Sequence, residues 1–305
     1  MIGYIARRLG QAIPTLLVVL LVGKALLHVS GDPTDILLPP EATAEQRVAF
    51  RRQHGLDRPF AIQYARYVLG AFSGDLGQSL SFNEPALQIV IGHLPATLKL
   101  TAAAIAIGMA VALPVGMAAA VKRRSLMNSL GSIVVLLGQA VPTFWLGMML
   151  ILLFAVRLGW LPASGRGGPQ HFVLPSVCLS FWVASLFMRL TRSSMLEVLS
   201  QDYVRTARAK GLLEWAVVTR HAFRNALLPL VTVVGLQFGA LLGGALVTEF
   251  VFAWPGIGSL LMAAVETRDY ALVLAIIMVV ASGIIVINLL VDLLYGWIDP
   301  RIRVA

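Results

Sequence analysis

The sequence predicts an all-α integral membrane protein with six membrane-crossing helices, and three observations carry that prediction. Of 305 residues, 58% are apolar and only 13% are charged, about half the charged share of a soluble domain. Mean hydropathy is +0.83. The apolar residues gather into six runs near the ~20 residues a helix needs to cross a hydrocarbon core of ~30 Å. Nowhere do they form the alternating ten-residue segments of a membrane barrel. A net charge of +9 could suggest nucleic acid, but the Lys and Arg sit in short clusters between apolar runs, not on one soluble face. One cysteine, Cys178, excludes an intramolecular disulfide framework and any four-Cys metal or iron–sulfur site held by this chain alone.

Taken in order, the first span is Leu9–Val29, led in by Arg7 and Arg8. It is followed by no clean small-x-small site, so an uncleaved anchor is expected over residues 1–29. The segment Ser30–Leu94 is polar, with seven acidic residues and helix-like pieces at Glu41–His54 and Ala61–Phe72, and reads as a folded cap on the outer face. A five-helix core, 95–299, and a short tail, 300–305, complete the chain. The second span, Ala96–Val121, carries a small-residue stripe at Gly108, Ala112, Gly116 and Ala120. The fifth, Ala226–Thr248, carries another at Gly235, Gly239 and Gly243. Such stripes let helix backbones approach closely. The third is Leu130–Val156, and Pro114 and Pro142 are expected to kink the second and third. Phe172–Met188 is the shortest span and Tyr270–Val291 the last. The third to sixth contain no Asp, Glu, Lys or Arg. Lys24 and Lys99 lie near enough to span ends to snorkel.

Orientation follows from the basic flanks. With the N-terminus inside, inner segments carry Arg7, Arg8, Lys122, Arg123, Arg124, Arg189, Arg192, Arg205, Arg208, Lys210, Arg220, Arg224, Arg301 and Arg303, whereas the short outer loops carry Arg157, Arg166 and Arg268. The inner stretch 189–225 combines seven basic residues with Leu212, Leu213, Trp215, Val217 and Val218. That mixture suits an amphipathic helical hairpin on the membrane or on a partner. Gly211, at its middle, can supply the φ > 0 turn. Pro229 then opens the fifth span without losing a backbone hydrogen bond.

The chain lacks a phosphate-cradling G-x-x-x-x-G-K-[ST] loop, an HExxH and a G-x-S-x-G. Its five histidines form no i, i+4 pair, and no carboxylate or base falls mid-span, where proton-coupled carriers keep theirs. The polar groups within the spans are neutral: Gln139, Thr143, Ser180, Ser185, Thr232, Gln237, Ser282 and Asn288. Of these, Gln139, Thr143, Ser185, Gln237 and Asn288 are candidates for a translocation pathway, although each also suits a helix–helix hydrogen bond. The pattern is that of a pathway without its own engine.

The inner stretch Tyr203-Val-Arg-Thr-Ala-Arg-Ala-Lys-Gly211, then Arg220-His-Ala-Phe-Arg-Asn-Ala-Leu-Leu-Pro229, resembles the cytoplasmic EAA loop of binding-protein-dependent ABC importer permeases. Ala207, Gly211 and Pro229 match that pattern, while Arg205 and Thr206 stand where Glu and Ala are usual, as in the dipeptide, oligopeptide and nickel branch. Further matches run the length of the chain: Gly31-Asp-Pro33, Gly55-Leu-Asp-Arg-Pro59, Gly74-Asp-Leu-Gly-Gln-Ser79, Pro142-Thr-Phe-Trp-Leu-Gly147, Leu158-Gly-Trp-Leu-Pro-Ala-Ser164, Phe252-Ala-Trp-Pro-Gly-Ile-Gly258 and Asp299-Pro-Arg-Ile-Arg303. The resemblance implies a type I ABC importer permease fold in a bacterial inner membrane, both termini cytoplasmic, with residues 30–94 periplasmic. It implies a sister permease, two cytoplasmic ATPases that hold the ATP and Mg, and a periplasmic or lipid-anchored binding protein that delivers solute. No cofactor, metal, catalytic residue or nucleic acid is implied for this chain. The solute that the resemblance implies is a dipeptide or short oligopeptide, with nickel or a metal chelate as the alternative; the reading of another class is an ATP-independent secondary carrier or channel. Coupling to the ATPase falls to Arg205, Ala207, Arg208, Lys210, Gly211, Leu212, Leu213, Trp215, Val218 and Arg220.

Overall fold

The computed structural model describes residues 2–30, 34, 38–39, 41–121, 133, 137–138 and 140–298. Among these the chain is helical, with no strand beyond an isolated bridge between Gln78 and Pro85. It divides into two compact units, Met1–Thr97 with Pro255–Val286, and Leu98–Trp254 with Ile287–Ala305.

The first unit begins with α1 (Ile2–Ser30). A capping box opens α2 (Ala44–Gln53): the Gln46 amide donates to Thr43 Oγ1 at 3.3 Å while Gln46 Oε1 accepts from Thr43 N–H at 2.9 Å. α2 is charged and buries nothing. The next helix, α3 (Phe60–Phe72), is different, with Arg66 its only charge. It lies along α1: the Phe60 ring sits 5.5 Å from His28, and Tyr64 Oη donates to the Leu17 carbonyl at 2.8 Å. Its far end lines a small apolar cavity of about 50 Å3 with Ile13, Leu16, Leu20 and Met278. The sequence suggested a folded cap here; α3, apolar over most of its circumference, packs along the first span.

The core of this unit joins Leu76 to the start of α4 (Ala86–Val121), to α10 (Ile257–Glu266) and to the head of α11 (Tyr270–Ile298). Ala86, Val90, Leu272 and Ala275 are fully buried there. Asp269, also fully buried, pins the outer segment to this core. Its carboxylate accepts from Ser79 Oγ at 2.5 Å, from Ser81 N–H at 3.0 Å, and from Leu272 N–H at 3.1 Å as the cap of α11. Gly77, at φ +85°, passes so close to Ala271 that any Cβ would press on it at 3.3 Å.

In the second unit α4 packs on α6 (Gln170–Leu199) through the small-residue stripe. A Cβ on Gly108 or Gly116 would come within 2.8 Å of Val183 or Thr191, and Ala112 and Ala120 are buried. α5 (Thr143–Leu150) continues into a wide π-type stretch, Ile151–Arg157. After α6 come α7 (Asp202–Ala209), a short helical turn Glu214–Ala216, a π-type turn Val217–Ala222, α8 (Phe223–Gly244) and α9 (Leu246–Val251). Leu174, Cys178 and Phe252 form a small core with α5 and α9, and the Phe172 and Trp254 rings meet at 5.5 Å.

Among the described residues four helices are long and apolar enough to cross a membrane: Gly10–Val29, Ala86–Val121, Gln170–Leu199 and Tyr270–Leu293. A fifth is a pair, Glu214–Leu227 and Pro229–Gly243, that meets at a 50° bend. The expected third span, Leu130–Val156, lies partly outside the described residues, and its described remainder is the helix Thr143–Arg157. The fourth span is longer than expected because its inner extension, rich in Arg and Ser, continues the same helix. Pro114 does not interrupt α4, whose residues are helical on both sides of it. Pro142 precedes a new helix as its N-cap instead of bending an old one. Pro229 sits inside α8, at the bend, and not at its start.

Candidate functional site

The basic hairpin is built between the ends of α6 and α8. Gln201 is extended, Asp202 opens α7, and Arg205 lies one turn on with its guanidinium 3.5 Å from the Asp202 carboxylate. An acid in the first turn and Arg208 in the last both suit the helix dipole. The chain then reverses at Gly211, φ +76°, the turn expected of it. Arg208 spans that turn and grips Glu214 bidentately: Nη2 donates to Oε1 at 2.6 Å and Nε to Oε2 at 3.1 Å. These hydrogen bonds hold the Glu214 carboxyl below its ordinary value and raise Arg208. Farther along, Asn225 Nδ2 donates to Tyr203 Oη at 2.7 Å, tying α7 to α8.

Two small cores fix the hairpin from within. Val204, Ala207 and Val217 pack with Leu199, and Val218 and Ala222 pack with Ala120, Met195 and Ala226. The opposite side is bare: Leu213 is 79% and Trp215 76% exposed, and Leu212 is exposed as well. Arg205, Arg208, Lys210 and Arg220 are exposed around them. Eight of the ten residues singled out from the sequence thus lie on one surface loop, and Ala207 and Val218 do not. Val218 was expected on the presented face, but the wide turn Val217–Ala222 carries it into the core. Glu214 and Tyr203, which lock the hairpin, were missed as functional partners. Opposite charges flanking a turn glycine were the available signal for Glu214. Beside the clasp, Ala120, Leu196, Leu199 and Ser200 line an open cavity of about 220 Å3.

The pathway candidates are scattered. Gln139 lies outside the described residues. Thr143 offers its carbonyl to the Cys178 thiol at 3.4 Å. Ser185 is fully buried, donates to the Phe181 carbonyl at 3.0 Å, and lies directly beneath Gly138, where a Cβ has no room. Ser180 likewise donates to the Val177 carbonyl at 2.8 Å. Thr232, Gln237, Ser282 and Asn288 are half-buried, and Gln237 Oε1 is shielded from solvent. None of them lines either cavity described above. Of the three packing glycines on α8, Gly235 lies hard against Val291 and Gly239 is buried, but Gly243 is exposed. Among the described residues no group of three His, Cys, Asp or Glu could hold a metal ion.

A chain of charge-poor apolar helices with a locked, basic hairpin on one side can be compared with known families. The family model of the binding-protein-dependent transport system inner membrane component matches residues 112–304. This chain belongs to that family. As such an inner-membrane component it is 43% identical over 304 residues to the glutathione transport system permease protein GsiC of Salmonella typhimurium, with 99% of each chain covered. It is 41% identical over 336 residues to the dipeptide transport system permease protein DppB of Escherichia coli K12, again with 99% of each covered. Among solved structures it resembles a chain of the inward-facing MetNI methionine ABC transporter at TM-score 0.60 and 19% identity, covering 70% of this component and 97% of that chain. The fold is therefore that of an ABC importer membrane subunit.

Proposed function

We propose that this component forms, with a sister permease, the pathway of an ATP-driven importer for short peptides of the size of dipeptides and glutathione. Two cytoplasmic ATPases power it, and a periplasmic or lipid-anchored binding protein delivers the solute. The observation that carries the reading is the hairpin around Gly211: a rigid, clasped turn with Leu213 and Trp215 bare and basic residues at the rim. Apolar anchors ringed by charge are where interface energy concentrates, and a chain without a phosphate-binding loop needs an external motor. The peptide solute is supported by full-length identity above 40% to GsiC and DppB.

In this reading six spans place both termini in the cytoplasm, and the chain hydrolyses no ATP itself. ATP binding draws the hairpins together and rocks the two permeases between outward- and inward-facing states. The test is reconstitution of the co-purified complex with its binding protein. ATP-dependent uptake of labelled glutathione or a dipeptide, competed by unlabelled short peptides, is expected. Uptake of neither, or uptake without co-purified ATPases, overturns the assignment.

A further inference from the structure

We propose that α3 is inserted in the outer leaflet, with the face formed by Ile62, Leu69 and Phe72 against lipid acyl chains. The proposal rests on the orientation given above and goes beyond it, since the sequence gives residues 30–94 only as a periplasmic segment. Depth is set by contacts with two spans of the same unit. α3 starts beside His28, at the outer end of α1, and descends: Tyr64 Oη reaches the carbonyl of Leu17. That carbonyl lies twelve residues below Val29, about 18 Å along the axis at 1.5 Å per residue. Val68, Ala71 and Phe72 then line the cavity with Leu16, Leu20 and Met278, and Met278 is eight residues, about 12 Å, below the head of α11. Gly77, against Ala271, shows the chain back at the level of that head five residues after Phe72.

The chemistry of α3 fits hydrocarbon. Leu69 and Phe72 are each 72% exposed, and Ile62 is exposed with them. Val18, Leu21, Val22 and Leu26 of α1 are likewise exposed apolar side chains, on a helix long and apolar enough to cross a membrane. Gln63 and Arg66 of α3 turn back toward the loop that precedes the helix, while the Tyr64 hydroxyl reaches α1. Gln63 Nε2 donates to the carbonyls of Leu56 and Arg58 at 3.3 and 2.8 Å, and the Arg66 guanidinium lies beside Gly55 in the same loop. A long basic side chain turned toward the interface is how such residues are accommodated near lipid. The neighbouring α2 differs in its chemistry, carrying Glu45, Arg47, Arg51 and Arg52 over ten residues.

The test uses the assembled transporter in nanodiscs, with single cysteines at Leu69→Cys and Ile62→Cys carrying a fluorescent label. Val18→Cys on α1 serves as the lipid reference and Val48→Cys on α2 as the water reference. Nitroxide-bearing phospholipid is expected to quench the labels at positions 69, 62 and 18 and not the one at 48. A water-soluble maleimide should react at least tenfold more slowly at 69 than at 48. If iodide quenches 69 as strongly as 48, the helix lies in water and the proposal is overturned. If neither quencher reaches 69 or 62, a protein partner covers the face and it is overturned equally. If Val18 also escapes the lipid quencher, the spanning assignment of α1 fails as well, a separate result. A variant at 69 that does not assemble leaves position 62 to decide.

Discussion

The basic hairpin around Gly211 and the segment around Ser79, outer in the proposed orientation, hold their shapes by opposite means. In the hairpin the side-chain bonds are near in sequence: Arg208 to Glu214 six residues apart, Asn225 to Tyr203 twenty-two apart. In the outer segment, Ser79 and Ser81 bond to Asp269 across 190 and 188 residues. The hairpin keeps its apolar anchors exposed, whereas the outer segment buries its polar anchor. Under the proposed coupling role, a loop that meets a moving partner is clasped locally and left bare. One that must stay fixed to a span is held by a buried carboxylate that leaves it few alternatives.

The comparison breaks most severely if the bare face of the hairpin is dispensable. Replacing Leu213 and Trp215 together by Asp should cost at least about 2 kcal/mol per anchor in ATPase attachment. Transport should fall on the order of a hundredfold while insertion and binding-protein docking persist. Normal transport with ATPases attached removes the coupling role.

Next is the outer anchor. Asp269→Ala leaves the Ser79 and Ser81 donors without their acceptor in a buried site, which should destabilise the first unit by about 3 kcal/mol. The readouts are a lower unfolding temperature and faster protease cleavage between Gly74 and Pro85. Asp269→Asn keeps the shape and should lose less. A smaller effect is expected of Gly211→Val, about 1 kcal/mol or more from the strained φ, seen as ATP hydrolysis uncoupled from uptake without loss of the fold.

The smallest effect belongs to the clasp. Glu214 is depressed by its bonds from Arg208, so its contribution is present above the ordinary carboxylate range and is lost as pH falls through its lowered value. Both partners are half exposed, and solvent screening limits the pair to about 0.5 kcal/mol. Glu214→Gln should therefore shift thermal stability slightly at pH 7 and not at all once wild-type Glu214 is protonated. An equal shift at both pH values means the clasp is packing and not charge.

How much was legible follows the same division. The spans Leu9–Val29 and Tyr270–Val291, the turn at Gly211 and the α4 stripe of Gly108 and Gly116 could be read because each depends on composition or spacing within one helix. Val218 was misplaced because nothing in its neighbours announces the π-type turn that rotates it inward. Pro142 and Pro229 were assigned opposite roles to those they take, since a proline marks a break without saying on which side the helix lies. The packing of α3 on α1 and the bonds of Asp269 were out of reach, because each is fixed by residues far away in sequence.

α6 is one uninterrupted rod of 30 residues, about 45 Å at 1.5 Å per residue. Near one end it is clamped through Leu174 and Cys178 to α5 and the Phe252 corner. Near the other, Met195 sits in the core that holds Val218 and Ala222 of the hairpin. Mechanically this is a lever with loads at both tips. A tilt of about 5° around its middle would displace each tip by about 2 Å in opposite directions, given that length. A push on the hairpin would thus reach the far corner by geometry alone, with no relay of side-chain switches between them.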